Sequence, residues 1–271
     1  MRLINTTSLQ VEEFLSNDAV DYVILSHTWE EEEVTLQDIQ SGAAISKKGY
    51  AKITSCCQKA ARDGFTYCWI DTCCIDKTSS AELSEAINSM YQWYQQARIC
   101  YAYLADFHGT SRDVQLNHPS FAEAKWFTRG WTLQELIAPS VVEFFNAEWE
   151  EIGTRLSLQT ELSAITGINR PVLSGEDSSN YTVNVRMSWA AHRKTSRLED
   201  GAYCLMGLFG VNMPLLYGEG LRAFRRLQEE IMRSAEDYTL LAWSTKGLPR
   251  TDPLALAAFQ IGGRRRALFQ A

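Results

Sequence analysis

The residues best placed for chemistry lie in Phe127-Thr128-Arg129-Gly130-Trp131-Thr132-Leu133-Gln134-Glu135-Leu136-Ile137-Ala138-Pro139. From Trp131 to Ile137 the stretch reads as a short helix. Pro139 closes it, because proline cannot donate the next backbone bond and disfavours helix at Ala138 before it. Leu133, Leu136 and Ile137 share one face, while Glu135 falls one turn beyond Trp131, so a carboxylate and an indole become neighbours. With the Arg129 guanidinium nearby, such an environment tunes a carboxyl for chemistry. The same spacing also fits a solvated helix carrying an ordinary Arg129–Glu135 surface pair.

A second set of polar and aromatic residues stands at the ends of apolar runs. Asp21-Tyr22-Val23-Ile24-Leu25-Ser26-His27-Thr28-Trp29 reads as a strand entering a loop. Its unbroken apolar core is that of a strand buried on both faces, as in a parallel sheet. Tyr67-Cys68-Trp69-Ile70-Asp71 is a second such strand, followed by a loop through Lys77. Arg98–Leu104 is a third, ending at Ala105-Asp106-Phe107, and Val141–Phe145 a fourth. Helices are expected between them: a short one around Leu36–Ile39, a longer one over Lys48–Asp63 ending at Gly64, and one opened by Ser79 and Glu82 at capping-box spacing. The stretch 108–125 has no clear period and reads as a loop insertion.

Alternating strands and helices specify an α/β fold with a mostly parallel, flavodoxin-like sheet. Ligands in such sheets bind beyond the carboxyl ends of the strands, between the first and third in this order. Ser26, His27, Thr28, Trp29, Asp71 and Asp106 would be delivered there, with Glu135 on the helix after the third strand. Each also has a plainer reading: Asp71 as a loop cap, Trp29 as core, His27 as a satisfied core histidine.

The chain has 271 residues, 45% hydrophobic and 22% charged, the balance of a globular protein with ample core. A net charge of −7 argues against general nucleic-acid affinity. The N-terminus lacks the apolar core of a signal peptide, and no apolar run is long enough to span a membrane, so a cytoplasmic protein is expected. Seven cysteines, an odd number set mostly in apolar segments, suit reduced core thiols. Adjacent Cys73 and Cys74, taken as extended chain, would point to opposite faces and not grip one ion, so no metal is expected.

Beyond about residue 156 the character becomes helical, with helices expected over Leu158–Thr166, Trp189–Arg193, Asp200–Phe209 and Glu219–Met232. The domain reading is therefore an α/β core over 1–155, a helical part over 156–245, and a tail or linker over 246–271. Gly218-Glu219-Gly220-Leu221-Arg222-Ala223 matches a dinucleotide fingerprint in form, but Pro214 weakens the strand such a loop requires. Arg222, Arg225, Arg226 and Arg233 read as a solvated charged face or a partner surface.

Three blocks, YVILSHTW from Tyr22, YCWIDTCCIDK from Tyr67 and RGWTLQELIAP from Arg129, together closely resemble the HET domain of fungal heterokaryon incompatibility. A fourth strengthens the match: Arg186–Arg193, Arg197–Gly207 and Met213–Gly220. His192 and Gly201 depart from the pattern, where an amide and a basic residue are expected. HET domains in turn resemble TIR domains, and Trp131–Leu136 is similar to the TIR motif whose glutamate is catalytic in NAD-cleaving members. The resemblance implies a TIR-like fold, Glu135 as the catalytic residue, and a cytoplasmic trigger of programmed cell death. It further implies NAD as substrate rather than cofactor, and homo-oligomerisation on activation. A receptor or NLR-type regulatory partner, or further C-terminal domains, would complete the system.

The chemistry is consistent with that implication. The nicotinamide–ribose bond already carries a cationic leaving group, so cleavage needs stabilisation of a ribosyl oxocarbenium and positioning of the hydroxyls. One buried carboxylate can supply both, Trp29 or Trp131 can stack on nicotinamide, and Ser26 or Asp71 can bind hydroxyls. Two other functions compete: a non-catalytic adaptor that kills by clustering, and a cysteine hydrolase pairing Cys73 or Cys74 with His27.

Overall fold

The computed structural model describes residues 1–15, 20–116, 118–234 and 237–241. The tail expected over 246–271 lies outside the described residues. The chain divides into two compact units: Met1–Trp126 with Pro139–Leu158, and Phe127–Ala138 with the chain from Gln159 onward.

The first unit is built on one sheet with seven strands among the described residues: β1 (Arg2–Asn5), β2 (Val11–Glu13), β3 (Tyr22–His27), β4 (Tyr67–Trp69), β5 (Ile99–Tyr103), β6 (Val142–Phe145) and β7 (Glu151–Thr154), in the order β2-β1-β4-β3-β5-β6-β7. The four central strands are parallel, and their order is the flavodoxin-like one expected. Every residue of β3 is buried, which explains its unbroken apolar run. It pairs with β5 in a register that sets Ser26 opposite Ala102 and His27 opposite Tyr103.

Strands β1, β2 and β7 were not anticipated, and all three pair antiparallel at the sheet margins. They are only three or four residues long, and β2 and β7 are mostly exposed or half-buried, so alternation leaves little trace.

Helices α1 (Leu36–Ser41), α2 (Tyr50–Arg62), α3 (Asp71–Cys74) and α4 (Ser80–Gln96) belong to this unit. Thr35 and Asp38 cap α1 reciprocally. Ser79 accepts the Glu82 N–H to start α4. The Glu82 carboxylate meanwhile accepts from the Asp76 N–H and pairs with Arg2.

Two expectations need correction here. The segment after Asp71 is not extended: the Ile70 carbonyl accepts from the N–H groups of Cys73 and Cys74, at 3.2 and 2.8 Å, and winds α3. Four residues are too few to show a helical period. The stretch 108–125 likewise carries α5 (Ser111–Gln115), opened by a Thr110–Asp113 capping box, and α6 (Pro119–Ala122).

Aromatic residues fill this core. Trp69 meets Tyr94 edge-on at 5.9 Å, Trp126 meets Phe144 at 5.5 Å, and the Tyr94 hydroxyl donates to the Leu25 carbonyl.

The second unit is helical: α7 (Thr132–Ile137), α8 (Gln159–Thr166), α9 (Arg170–Leu173), α10 (Val183–Ser188), α11 (Asp200–Tyr203), α12 (Met206–Phe209) and α13 (Arg222–Ser234). The helix expected over Trp189–Arg193 is absent. α10 stops at Ser188, and bonds such as Ala190 N–H to Met187 O and Arg193 N–H to Ala190 O form tight turns instead. Asp200–Phe209 divides into α11 and α12. α13 begins at Arg222, because Gly220 at φ +61° cannot continue a helix backwards.

Along α13, Phe224, Leu227 and Ile231 are buried, while Leu221 is exposed. Three of the four arginines counted as a possible partner surface are paired within the chain: Arg226 with Glu219, Arg225 with Glu229, Arg233 with Glu230. Among the described residues no helix is long and apolar enough to cross a membrane.

Candidate active site residues

Within the first unit, the end of β3 and the start of α3 bring three predicted residues together, His27, Trp29 and Asp71. Asp71 is their hub. Its Oδ1 lies 2.9 Å from His27 Nε2, and its Oδ2 accepts the Trp29 indole N–H at 2.7 Å. Burial would raise the Asp71 pKa, but the Lys77 charge and the bonds from His27 and Trp29 outweigh it, holding the carboxyl well below the usual range. Asp71 is thus an acceptor, so His27 Nε2 carries the proton in that bond. Burial pushes the Lys77 ammonium down, partly offset by Asp71.

Lys77 Nζ sits 3.6 Å from the centroid of the Trp29 ring. That ring remains 46% exposed while its N–H is anchored, a geometry suited to stacking. His27 itself is buried, with Nδ1 4.0 Å from Glu33 Oε1. Lys52, also buried, binds Glu33 Oε1 at 2.5 Å and the Thr28 carbonyl at 3.3 Å, pinning the loop after β3.

Ser26 and Asp106 are engaged differently. Ser26 is fully buried, and its hydroxyl accepts the Trp126 indole N–H at 2.8 Å. Asp106 is exposed, and its carboxylate accepts the Lys125 N–H at 3.0 Å, bracing the segment that follows α6.

The thiols are not disposed for nucleophilic catalysis. All seven cysteines are free and buried. The Cys73 thiol, hydrogen-bonded to Cys74 and buried, is held well above its ordinary pKa, which disfavours the thiolate a hydrolase would need. His27 bonds Asp71 and neither Cys73 nor Cys74 is among its hydrogen-bond partners, so the geometry gives the cysteine-hydrolase expectation no support.

Within the second unit, Glu135 is buried on α7 and retains only 7% exposure. Two strand-like contacts fix the entry to this helix: Lys194 N–H to Thr128 O at 2.6 Å and Gly130 N–H to Lys194 O at 2.8 Å. Gly130 is required by proximity, since a Cβ there would stand 2.5 Å from Thr195 Cγ2 and 3.1 Å from Cys204 Sγ.

The cation built into this region is one the sequence reading passed over. Arg193 is buried, and its Nη1 donates to the Arg129 carbonyl at 3.0 Å and to Thr132 Oγ1 at 2.7 Å. Burial lowers its pKa to about 10, against the opposing pull of Cys204 and Glu135. Arg129 therefore meets Arg193 through its backbone oxygen. Only folding could show this, because 61 residues separate Arg193 from Thr132.

Trp131 occupies the N-cap position of α7 and its side chain reaches a second carboxylate, Asp200. Burial raises the Asp200 pKa, with hydrogen bonds from Tyr217 and Trp131 only partly offsetting it. The glycine fingerprint is internally occupied. Glu199 Oε1 accepts from Gly218 N–H at 2.8 Å and Gly220 N–H at 2.9 Å, so its own carboxylate fills the place a phosphate would need.

Comparison with known proteins adds to this geometry. Residues 22–122 match the family described as heterokaryon incompatibility protein (HET), and residues 222–266 match a domain of unknown function, DUF8212. Vegetative incompatibility protein HET-E-1 of Podospora anserina is 52% identical over 217 residues, covering 78% of this chain and 16% of that protein. The chain thus spans a small part of the length of this curated relative. No solved structure is significantly similar.

Proposed function

Because this chain carries a HET domain, we propose that it acts in heterokaryon incompatibility as a cell-death effector, cleaving NAD at the nicotinamide–ribose bond once it assembles into a homo-oligomer. Glu135 is the catalytic residue of this reading. The observation that carries it is a carboxylate buried on a six-residue helix with a buried guanidinium in electrostatic reach.

Breaking the C–N bond sends its electron pair to nicotinamide, which leaves neutral, and the ribose becomes an oxocarbenium ion. A carboxylate stabilises that cation more than it stabilises the ground state, which is the condition for catalysis. A nucleophile, water in a hydrolysis, then captures the cation. No general acid is required, which agrees with a single catalytic carboxylate. A receptor or NLR-type partner would supply the trigger in this reading.

The test is NAD consumption with nicotinamide release by the purified chain at rising concentration, beside Glu135→Ala. Removing a group that acts mainly in the transition state should lower kcat by roughly 10²–10³-fold. The wild-type rate per molecule should climb with concentration. No loss of NAD even under forced clustering, with killing unaffected by Glu135→Ala, would replace the enzyme with an adaptor that kills by recruitment.

A further inference from the structure

We propose that Arg193 is the positioning residue of Glu135: its guanidinium clamps the first turn of α7 and so sets where the carboxylate stands. This rests on the catalytic reading of Glu135, and the measurement below separates the two.

α7 has little means of holding itself. It is six residues long, its N-cap Trp131 makes no side-chain capping bond, and isolated helices of this length are unstable in water. Its orientation must therefore come from tertiary contacts. Arg193 Nη1 supplies two on one atom: the Arg129 carbonyl at 3.0 Å, just ahead of the helix, and Thr132 Oγ1 at 2.7 Å, on its first residue. Thr132 Oγ1 in turn donates to the same Arg129 carbonyl at 3.0 Å, closing a three-membered ring of bonds.

Glu135 follows Thr132 by three residues and shares its face, so a rotation of the first turn carries the carboxylate with it. The Arg193 end of the clamp is itself fixed. Nε donates to Trp189 O at 3.4 Å, and the neighbouring Lys194 is paired with Thr128 and Gly130 on the approach to α7.

The remaining amino group argues that this is no ordinary packing arginine. Nη2 is buried and has no hydrogen-bond partner among the described residues, an expensive arrangement for a guanidinium. A residue selected for packing alone would be apolar here. The fork is retained because planar, charged donors bind a carbonyl and a hydroxyl at fixed angles, which a lysine ammonium on a flexible stem does not.

The test is hydrogen exchange read by mass spectrometry on peptides covering 128–138, with α8 and α13 peptides as internal controls, alongside NAD turnover. Arg193→Met should speed α7 exchange by about tenfold or more, the effect of losing a charged hydrogen bond, and leave the controls unchanged. In turnover it should lower kcat by roughly 10²-fold with KM nearly constant, as expected of a misplaced catalytic group. Arg193→Lys should resemble Arg193→Met. Should Arg193→Met not fold, Thr132→Val removes one acceptor and should give a smaller rise confined to the same peptides.

Unchanged α7 exchange, an equal rise in α13, or full recovery with Arg193→Lys would each overturn the clamp. If the wild type consumes no NAD under forced clustering, the catalytic reading falls while the exchange result still decides the clamp.

Discussion

Gly130→Ala is the most exacting test of the packing that holds α7. The new Cβ would meet Thr195 Cγ2 at 2.5 Å, Cys204 Sγ at 3.1 Å and Lys194 O at 3.6 Å. The first distance is far inside contact and must be relieved by movement. Thr195 cannot swing aside freely, since its hydroxyl donates to Arg197 O at 2.7 Å and its Cβ is branched. Overpacking of this kind costs about 1–3 kcal/mol. In a chain of this size it should lower the apparent Tm by roughly 2–12 °C, at about 2–4 °C per kcal/mol.

Thr195→Ser deletes the clashing methyl but keeps the hydroxyl, at about 0.5–1 kcal/mol on its own. In the double variant only the 3.1 Å contact with Cys204 remains, which a few tenths of an ångström relieves. The cycle should therefore be strongly non-additive, with a favourable coupling of about 1–2 kcal/mol. Urea unfolding followed by far-UV circular dichroism measures all four species. A Gly130→Ala cost below about 0.5 kcal/mol, or simple additivity, would refute the close approach and with it the account of how α7 is seated.

Two further outcomes follow from the buried charges and thiols. Asp71→Asn should destabilise by about 1.5–3 kcal/mol at pH 7, because the amide cannot accept from both His27 and Trp29. The folded carboxyl lies below its unfolded value, so this stabilisation is complete above the unfolded aspartate pKa of about 3.9 and is lost as pH falls further. Melting curves for the two proteins should therefore converge in acid, and a constant gap from pH 7 to pH 2 would count against the hub. All seven cysteines should resist a thiol reagent in the native protein at pH 8 and react together in denaturant. A single fast native thiol would contradict their burial.

Much of the central architecture was legible because its signals are local. An apolar run such as Tyr22–Leu25 specifies a doubly buried strand wherever it occurs, and Ser79 and Pro139 act within a turn of themselves. The parallel order followed from the alternation of strands and helices. The segments missed were short: α3, α5 and the marginal strands contain three to five residues each, less than the two periods a pattern needs to declare itself. The helix expected over Trp189–Arg193 failed for the converse reason, since apolar spacing there serves a chain of tight turns.

The same division runs through the candidate residues. Sequence by itself determined that an acid would follow an indole by one turn at Glu135, and that Ser26, His27, Trp29 and Asp71 would stand at strand ends, because spacing along one element decides both. Tertiary structure alone decided what those groups touch. It made Asp71 the shared acceptor of His27 and Trp29 across more than forty residues, spent the Ser26 hydroxyl on Trp126, and set Arg193 rather than the Arg129 side chain against the start of α7. Partners so distant in the chain leave no periodic trace, since a hydrogen bond needs atoms within about 3 Å in space and carries no constraint on separation in sequence.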